Sequence, residues 1–273
     1  MKRNSPFSGT LRAMYGQWPA YALGYGGIVL ALIIIGISAQ QGWIGYIPLA
    51  MAALLILVYF FLASLWRIHQ LYDRDGLNPH HVLFDMGRIR ATDQFVYIDL
   101  GRRQRAIDLA RRLTTGRAIV VDVYSPQWTP GQSLVRHRAR MPQPPPDPRI
   151  RWQTGRIDLL PLPDKSVTAV ILCQVLSEFW QEGDQLQLLK EIYRILSENG
   201  RLLLAEQVQS RTNSLLMGPG VLKLEPVEQW RELLEKAGFR VRSEKELQGI
   251  VHCFRADKPT YTEAQQLTLG LNL

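Results

Sequence analysis

Hydrophobic positions along this chain fall into two regimes. From Ala13 to Trp66 there is no Lys, Arg, Asp, Glu or His, and the stretch contains two nearly unbroken apolar runs, Tyr21–Ala39 and Ile44–Trp66. A helix needs about 20 apolar residues to cross the hydrocarbon core of a bilayer, so each run is long enough. Gln40, Gln41, Gly42 and Trp43 alone separate them, which leaves room only for a tight hairpin. A cleaved signal peptide fits poorly, because the first run is too long and a second follows at once.

Beyond Trp66 the apolar runs shorten and alternate with amphipathic stretches. Phe95–Leu100, Ala118–Val123, Val167–Leu172 and Leu202–Ala205 read as strands buried on both faces. Arg103–Leu113 is a helix with Ala106, Leu109, Ala110 and Leu113 on one side. Asp184–Leu196 is an amphipathic helix with Asp184 as its cap and Asn199-Gly200 as its stop, and Glu225–Ala237 opens with Pro226 and ends at Gly238. Ser125–Arg149 is polar and proline-rich, with the run Pro144-Pro145-Pro146 and one short helix near Gln132–Arg140. Arg240–Lys245 and Ile250–Ala256 read as a terminal antiparallel pair. Strand–helix alternation predicts an α/β fold, a mainly parallel sheet covered on both faces. The organisation predicted is a membrane anchor over residues 1–70 (helices about 21–39 and 44–66), a linker over 71–92, the α/β domain over 93–258 and a tail over 259–273.

Charge orients the hairpin. Lys2, Arg3 and Arg12 precede the first run, Arg67, Arg74, Arg88 and Arg90 follow the second, and the connecting turn carries none. The positive-inside bias then predicts a two-span protein of the cell membrane with both termini and the soluble domain in the cytoplasm. Trp18, Trp43, Tyr46 and Trp66 fall at the expected interfaces, and Gly24, Gly26 and Gly27 would allow close packing of the second helix. The net charge of +8 is concentrated between Gly101 and Arg156, which holds twelve Arg and no Lys against Asp108, Asp122 and Asp147. On a tethered domain such a segment most simply meets anionic head groups, so membrane lipids are the expected partner and nucleic acid is not. Cys173 and Cys253 both fall in predicted strands and read as small core residues of a reducing compartment. His80-His81 has no further ligands spaced to join it, so it reads as part of the linker, and no metal is expected.

Five segments carry a family likeness. Tyr97-Ile98-Asp99-Leu100-Gly101 resembles the first motif of class I S-adenosylmethionine (SAM) methyltransferases, a strand ending in Asp-x-Gly. Asp122 closes the second strand, where that family places an acid for the ribose hydroxyls. Leu160-Pro161-Leu162-Pro163-Asp164, Glu191 to Leu196 with Gly200 to Leu204, and Ala237-Gly238-Phe239 resemble later segments in the right order and spacing. The likeness runs from Thr92 to Lys258 and is nearest the "type 11" group. It implies a Rossmann-like sheet preceded by the transmembrane α-helical hairpin, SAM as cofactor, and Asp99, Gly101 and Asp122 as cofactor contacts. It also places Ser177 and Glu178 in the substrate-facing region, with Glu178 a candidate base; no residue is assigned to catalysis.

The departures are as informative. Arg103 and Arg105 stand where the family has glycines, Arg156 replaces the acid that reads the adenine amino group, and Thr168 replaces a common Asp. SAM is a sulfonium cation, and added arginines repel it. Three readings stay open: the arginines point outward; SAM binding is weak or lost and the fold survives as a scaffold (a possible pseudoenzyme) among membrane proteins; or the ligand is now an anion, which the Arg fork binds well. As an enzyme, the chain would methylate a lipid-soluble or membrane-associated acceptor, because a tether raises the local concentration of such a substrate.

Overall fold

The computed structural model describes residues 8–73, 76–141, 144 and 146–260. Lys2, Arg3, Arg74, Asp75, Pro145 and the tail beyond residue 260 lie outside the described residues. The chain divides into two compact units, 1–78 with 211–221, and 79–210 with 222–273.

In the first unit, α1 (Ser8–Gly16) leads into α2 (Trp18–Gln40), and a 3-10 turn at Ile44–Tyr46 leads into α3 (Ile47–Tyr72). Both long helices outrun the apolar runs, α3 by six residues past Trp66 to Tyr72. They pack through small residues: Gly27 faces Leu57, Gly24 faces Phe61, and the Tyr21 ring meets Phe61 edge-on at 5.8 Å. Gly26 faces open space and takes no part. Elsewhere the helices turn apolar side chains outward, Leu23, Leu30, Leu49 and Leu55 among them. By length and composition both are able to cross a membrane. The start of α1 is held by Asp73: its Oδ1 accepts the Gly9 and Thr10 N–H groups at 2.7 and 3.1 Å, an N-terminal cap supplied from a distant part of the chain.

The second unit opens with a helix, α4 (Pro79–Met86), in the stretch read as linker. Its Leu83 and Phe84 are buried, so His80 and His81 belong to a packed helix rather than an extended tether. A seven-stranded sheet follows: β1 (Gln94–Asp99), β2 (Arg117–Asp122), β3 (Ile150–Thr154), β4 (Val167–Cys173), β5 (Leu196–Gln207), β6 (Arg240–Leu247) and β7 (Val251–Asp257). Their order is β3-β2-β1-β4-β5-β7-β6, parallel except for β7, which runs against both neighbours. The sequence pattern missed β3, a short edge strand without an apolar run.

The covering helices are α5 (Gln104–Ala110), α6 (Gln132–Ala139), α7 (Glu182–Ile195) and α9 (Val227–Lys236), while α8 (Arg211–Met217) belongs with the first unit. Two expected termini differ. Asp184 lies in the first turn of α7 and does not cap it; Gln181 occupies the cap position. The helix ends at Ile195, ahead of Asn199-Gly200, because Lys258 Nζ takes the carbonyls of Tyr193 and Leu196 at 2.6 and 2.8 Å and the chain turns directly into β5. The core is the sheet's own apolar set, with Phe95, Ile98, Val121, Ile171, Leu204 and Phe254 essentially inaccessible.

A candidate cofactor site at the carboxyl edge of the sheet

The strand order reverses direction between β1 and β4, and in open α/β sheets ligands sit at the carboxyl ends beside that point. Asp99 and Asp122 are register partners on β1 and β2, so the structure brings them side by side at this edge. Gly101 follows with φ +83, a conformation that residues with a Cβ rarely adopt.

Asp99 organises the turn. It is buried, its Oδ2 accepts the N–H groups of Gly101 and Arg103 at 2.9 and 3.0 Å, and its Oδ1 accepts that of Arg102 at 3.2 Å. Burial raises its pKa, against the lowering effect of the backbone donors. Arg103 has φ +54, so the backbone keeps a left-handed step although the glycine expected there is gone. The helix after it, α5, is only seven residues long.

The arginines separate into different roles. Arg105 is buried, and it ties α5 to the end of β4 by donating to the Cys173 carbonyl at 2.8 Å and to Gln174 Oε1 at 2.7 Å. Arg102 pairs with Glu178, so the candidate base carries a cation on its carboxylate, and Arg102 also reaches the Gln174 carbonyl at 3.3 Å. Arg156 lies outside the site: it is largely exposed and forks onto Asp158 at 2.9 and 2.7 Å. Arg149 is likewise matched by Asp147 and Arg111 by Asp108, so the concentrated positive charge is partly neutralised locally.

The decisive residue is one the sequence pattern did not single out. Arg138, in the last turn of α6, forks onto Asp122 with both bonds at 2.9 Å and stacks on the Tyr124 ring at 4.0 Å. A Cβ built on Gly101 would collide with its guanidinium, so Arg138 lies directly on the glycine turn. The helix aims it there: Leu134, four residues earlier, is buried, and residues four apart share a helix face.

Below this edge sits Glu206, fully buried at the end of β5. Its Oε1 accepts the N–H groups of Val175 and Leu176 at 2.9 and 2.8 Å, pinning the 3-10 turn Leu176–Glu178 that carries Glu178. Burial raises its pKa to about 7.

Comparison with known proteins fits this geometry. The family model described as "Methyltransferase domain" matches residues 100–204. Residues 100–204 therefore resemble a class I SAM-dependent methyltransferase domain. A curated protein of Mycolicibacterium smegmatis named "Probable S-adenosylmethionine-dependent methyltransferase" is 34% identical over 113 residues, which cover 38% of this chain. The chain spans 40% of the length of that relative. A SAM-dependent methyltransferase from Aquifex aeolicus superposes with a TM-score of 0.52 at 17% identity, covering 66% of this chain and 89% of the other. Human N-acetylserotonin methyltransferase, solved with SAM, gives 0.50 at 19% identity, covering 74% and 56%. The cyclase SpnF gives 0.52 at 16% identity, covering 69% and 83%, and its chemistry illustrates that this fold alone does not fix a reaction.

SAM is the cofactor that the methyltransferase domain implies. The glycine turn and the Asp122 carboxylate suit its nucleoside part: one permits close backbone approach and the other is an acceptor for hydroxyls. Arg138 lies against the same glycine and forks onto the same carboxylate, so a ligand that used both would have to displace it.

Proposed function

We propose that this chain is a membrane-anchored SAM-dependent methyltransferase acting on a lipid-soluble or membrane-associated acceptor, with both termini and the soluble domain cytoplasmic. The observation that carries the reaction class is the Gly101 turn beside Asp122 at the switch point of the sheet. When bound, SAM supplies the methyl group. Asp122 would hold the ribose hydroxyls, Asp99 keeps the turn in shape, and Arg102 in that turn pairs with Glu178. Methyl transfer depends mainly on positioning an in-line nucleophile, so no proton-transfer group has to be assigned.

The membrane half of the reading is supported by α2 and α3. A helix that is apolar all round and turns many of those side chains outward is a stable arrangement in lipid and a poor one in water. The uncharged turn at one end and Arg67, Arg88 and Arg90 beyond the other favour cytoplasmic termini. Membrane lipids are then the expected partners, joined by other membrane proteins under the scaffold reading. Alkaline carbonate is expected to leave the full-length chain in the membrane fraction, and protease added outside intact cells is expected to spare its C-terminus. Release into the supernatant or external cleavage overturns the anchor or its orientation.

The reaction itself is tested with methyl-labelled SAM and the full chain in vesicles of total membrane lipid. Label should enter the organic-soluble or membrane-protein fraction, and Asp122→Ala should abolish it. A second reading, an anion-binding or scaffolding module, is favoured by the guanidinium lying on Gly101. It prevails if SAM binds neither the wild type nor a chain lacking Arg138 while inorganic phosphate binds the wild type and is lost with Arg138.

A further inference from the structure

The α/β domain's chain makes one excursion that its own sheet does not explain. Between β5 and α9 the residues 211–221 leave the second unit and group with α1, α2 and α3. The excursion is closed at its base, where Val208 bridges to Glu225 and the Gln209 N–H donates to the Glu225 carbonyl at 3.0 Å. Its tip packs on α3. The Tyr59 hydroxyl donates to the Leu215 carbonyl at 3.1 Å, and Gly218, at φ +53, approaches the Phe60 ring so closely that any Cβ would meet it at 2.9 Å.

The composition of the tip is unlike a solvent loop. Thr212 to Leu222 reads Thr-Asn-Ser-Leu-Leu-Met-Gly-Pro-Gly-Val-Leu, without a charge, bracketed by Arg211 and Lys223. Leu215 and Leu222 are 65% and 77% exposed, so nothing in the protein covers them. Its height on the helix matters more. Tyr59 stands seven residues before Trp66, the last residue of the uncharged stretch, and at 1.5 Å per residue that is about 10 Å toward the bilayer centre. A water-exposed tip could not reach Tyr59 at that depth.

We infer that residues 211–223 form a third membrane-embedded element, a short helical segment (α8 and the 3-10 turn after it) that dips into the cytoplasmic leaflet against α3, with acyl chains covering Leu215 and Leu222. Arg211 and Lys223 bracket it at the head-group level, where long cationic side chains keep their charge in water while their stems stay apolar. The backbone near Leu215 is helical or 3-10, which bonds part of it internally, and the Tyr59 hydroxyl donates to the Leu215 carbonyl. This rests on α2 and α3 spanning a membrane.

The test uses the full chain in phosphatidylcholine–phosphatidylglycerol vesicles, with an environment-sensitive fluorophore on one introduced cysteine at a time. Positions are Leu215→Cys and Leu222→Cys in the tip, Leu30→Cys in α2, and Leu159→Cys in the α/β domain, where the leucine is exposed. The unsubstituted chain sets the background from Cys173 and Cys253, which are buried. The tip labels should emit to the blue, be quenched by lipids nitroxide-labelled on the acyl chain and resist aqueous iodide, as Leu30 does and Leu159 does not. If Leu30 behaves so while Leu215 and Leu222 are quenched by iodide, the tip is in water and the inference fails with the anchor intact. If Leu30 is also open to iodide, the membrane reading itself fails and takes the inference with it.

Discussion

Arg138→Ala should raise the affinity of the full-length protein for SAM by about tenfold, read by isothermal titration. The wild type has to break a two-bond, charge-assisted pair before Asp122 can meet a ribose. Such pairs are worth about 1.5–3 kcal/mol when protected, and this one is partly open to water, with its side chains 24% and 22% exposed. Discounting for that leaves about 1.4 kcal/mol, a factor of ten. The guanidinium also leaves the surface of Gly101, which frees the volume a ligand would use, and a cation is removed from beside a sulfonium. Leu134 still anchors α6, so the variant should fold. Arg138→Lys, which cannot fork onto the carboxylate, should fall between the two. Asp122→Ala should weaken SAM in either background. SAM binding that is no tighter in Arg138→Ala than in the wild type sinks the idea that this arginine closes the site.

How much of this was legible in the sequence depends on whether the signal was local. The strands β1, β2, β4 and β5 could be read because a strand buried on both faces is an unbroken apolar run, and Asp99, Gly101 and Asp122 were singled out by the family likeness of the segments that close β1 and β2. Edge strand β3 carries Arg151 and Gln153 and has no such signature. The arginines were the harder problem. Arg156, where the family likeness led to the expectation of an acid, turns outward in space to Asp158 two residues away. Arg105 replaces a glycine, yet it is absorbed by the carbonyl of Cys173. Arg138 had no motif around it; what aims it at Asp122 is the four-residue step from Leu134 in a helix that follows an acid-terminated strand. That spacing was visible, but its meaning depended on where α6 packs. The tip at 211–223 was hidden for a similar reason, because eleven uncharged residues are too few to span a bilayer and acquire significance only beside Tyr59 and Phe60.

Glu206 gives the second large effect, and its sign runs opposite to most carboxylates. Burial lifts it from 4.5 to about 7, with the neighbouring charge of Glu178 adding to the rise and the N–H donors of Val175 and Leu176 opposing it. Between those two values the folded domain keeps a proton that the unfolded chain has lost. Its contribution is therefore most favourable below about pH 4.5 and is lost as pH rises toward 7, a loss on the order of 3 kcal/mol. Glu206→Gln keeps an oxygen to accept the two N–H groups and cannot ionise, so it should flatten that slope. Glu206→Ala leaves both buried donors unpaired and should destabilise the 3-10 turn at every pH, by about 1–3 kcal/mol for each donor. Hydrogen exchange of the peptide spanning the end of β4 and the turn Leu176–Glu178 measures this locally in the full chain. Protection in the wild type should decline from pH 5 to 7, after correction for intrinsic exchange, whereas protection in Glu206→Gln should not. Parallel profiles for the two proteins would mean that Glu206 ionises without cost, and that the turn carrying Glu178 is held by something other than this carboxyl.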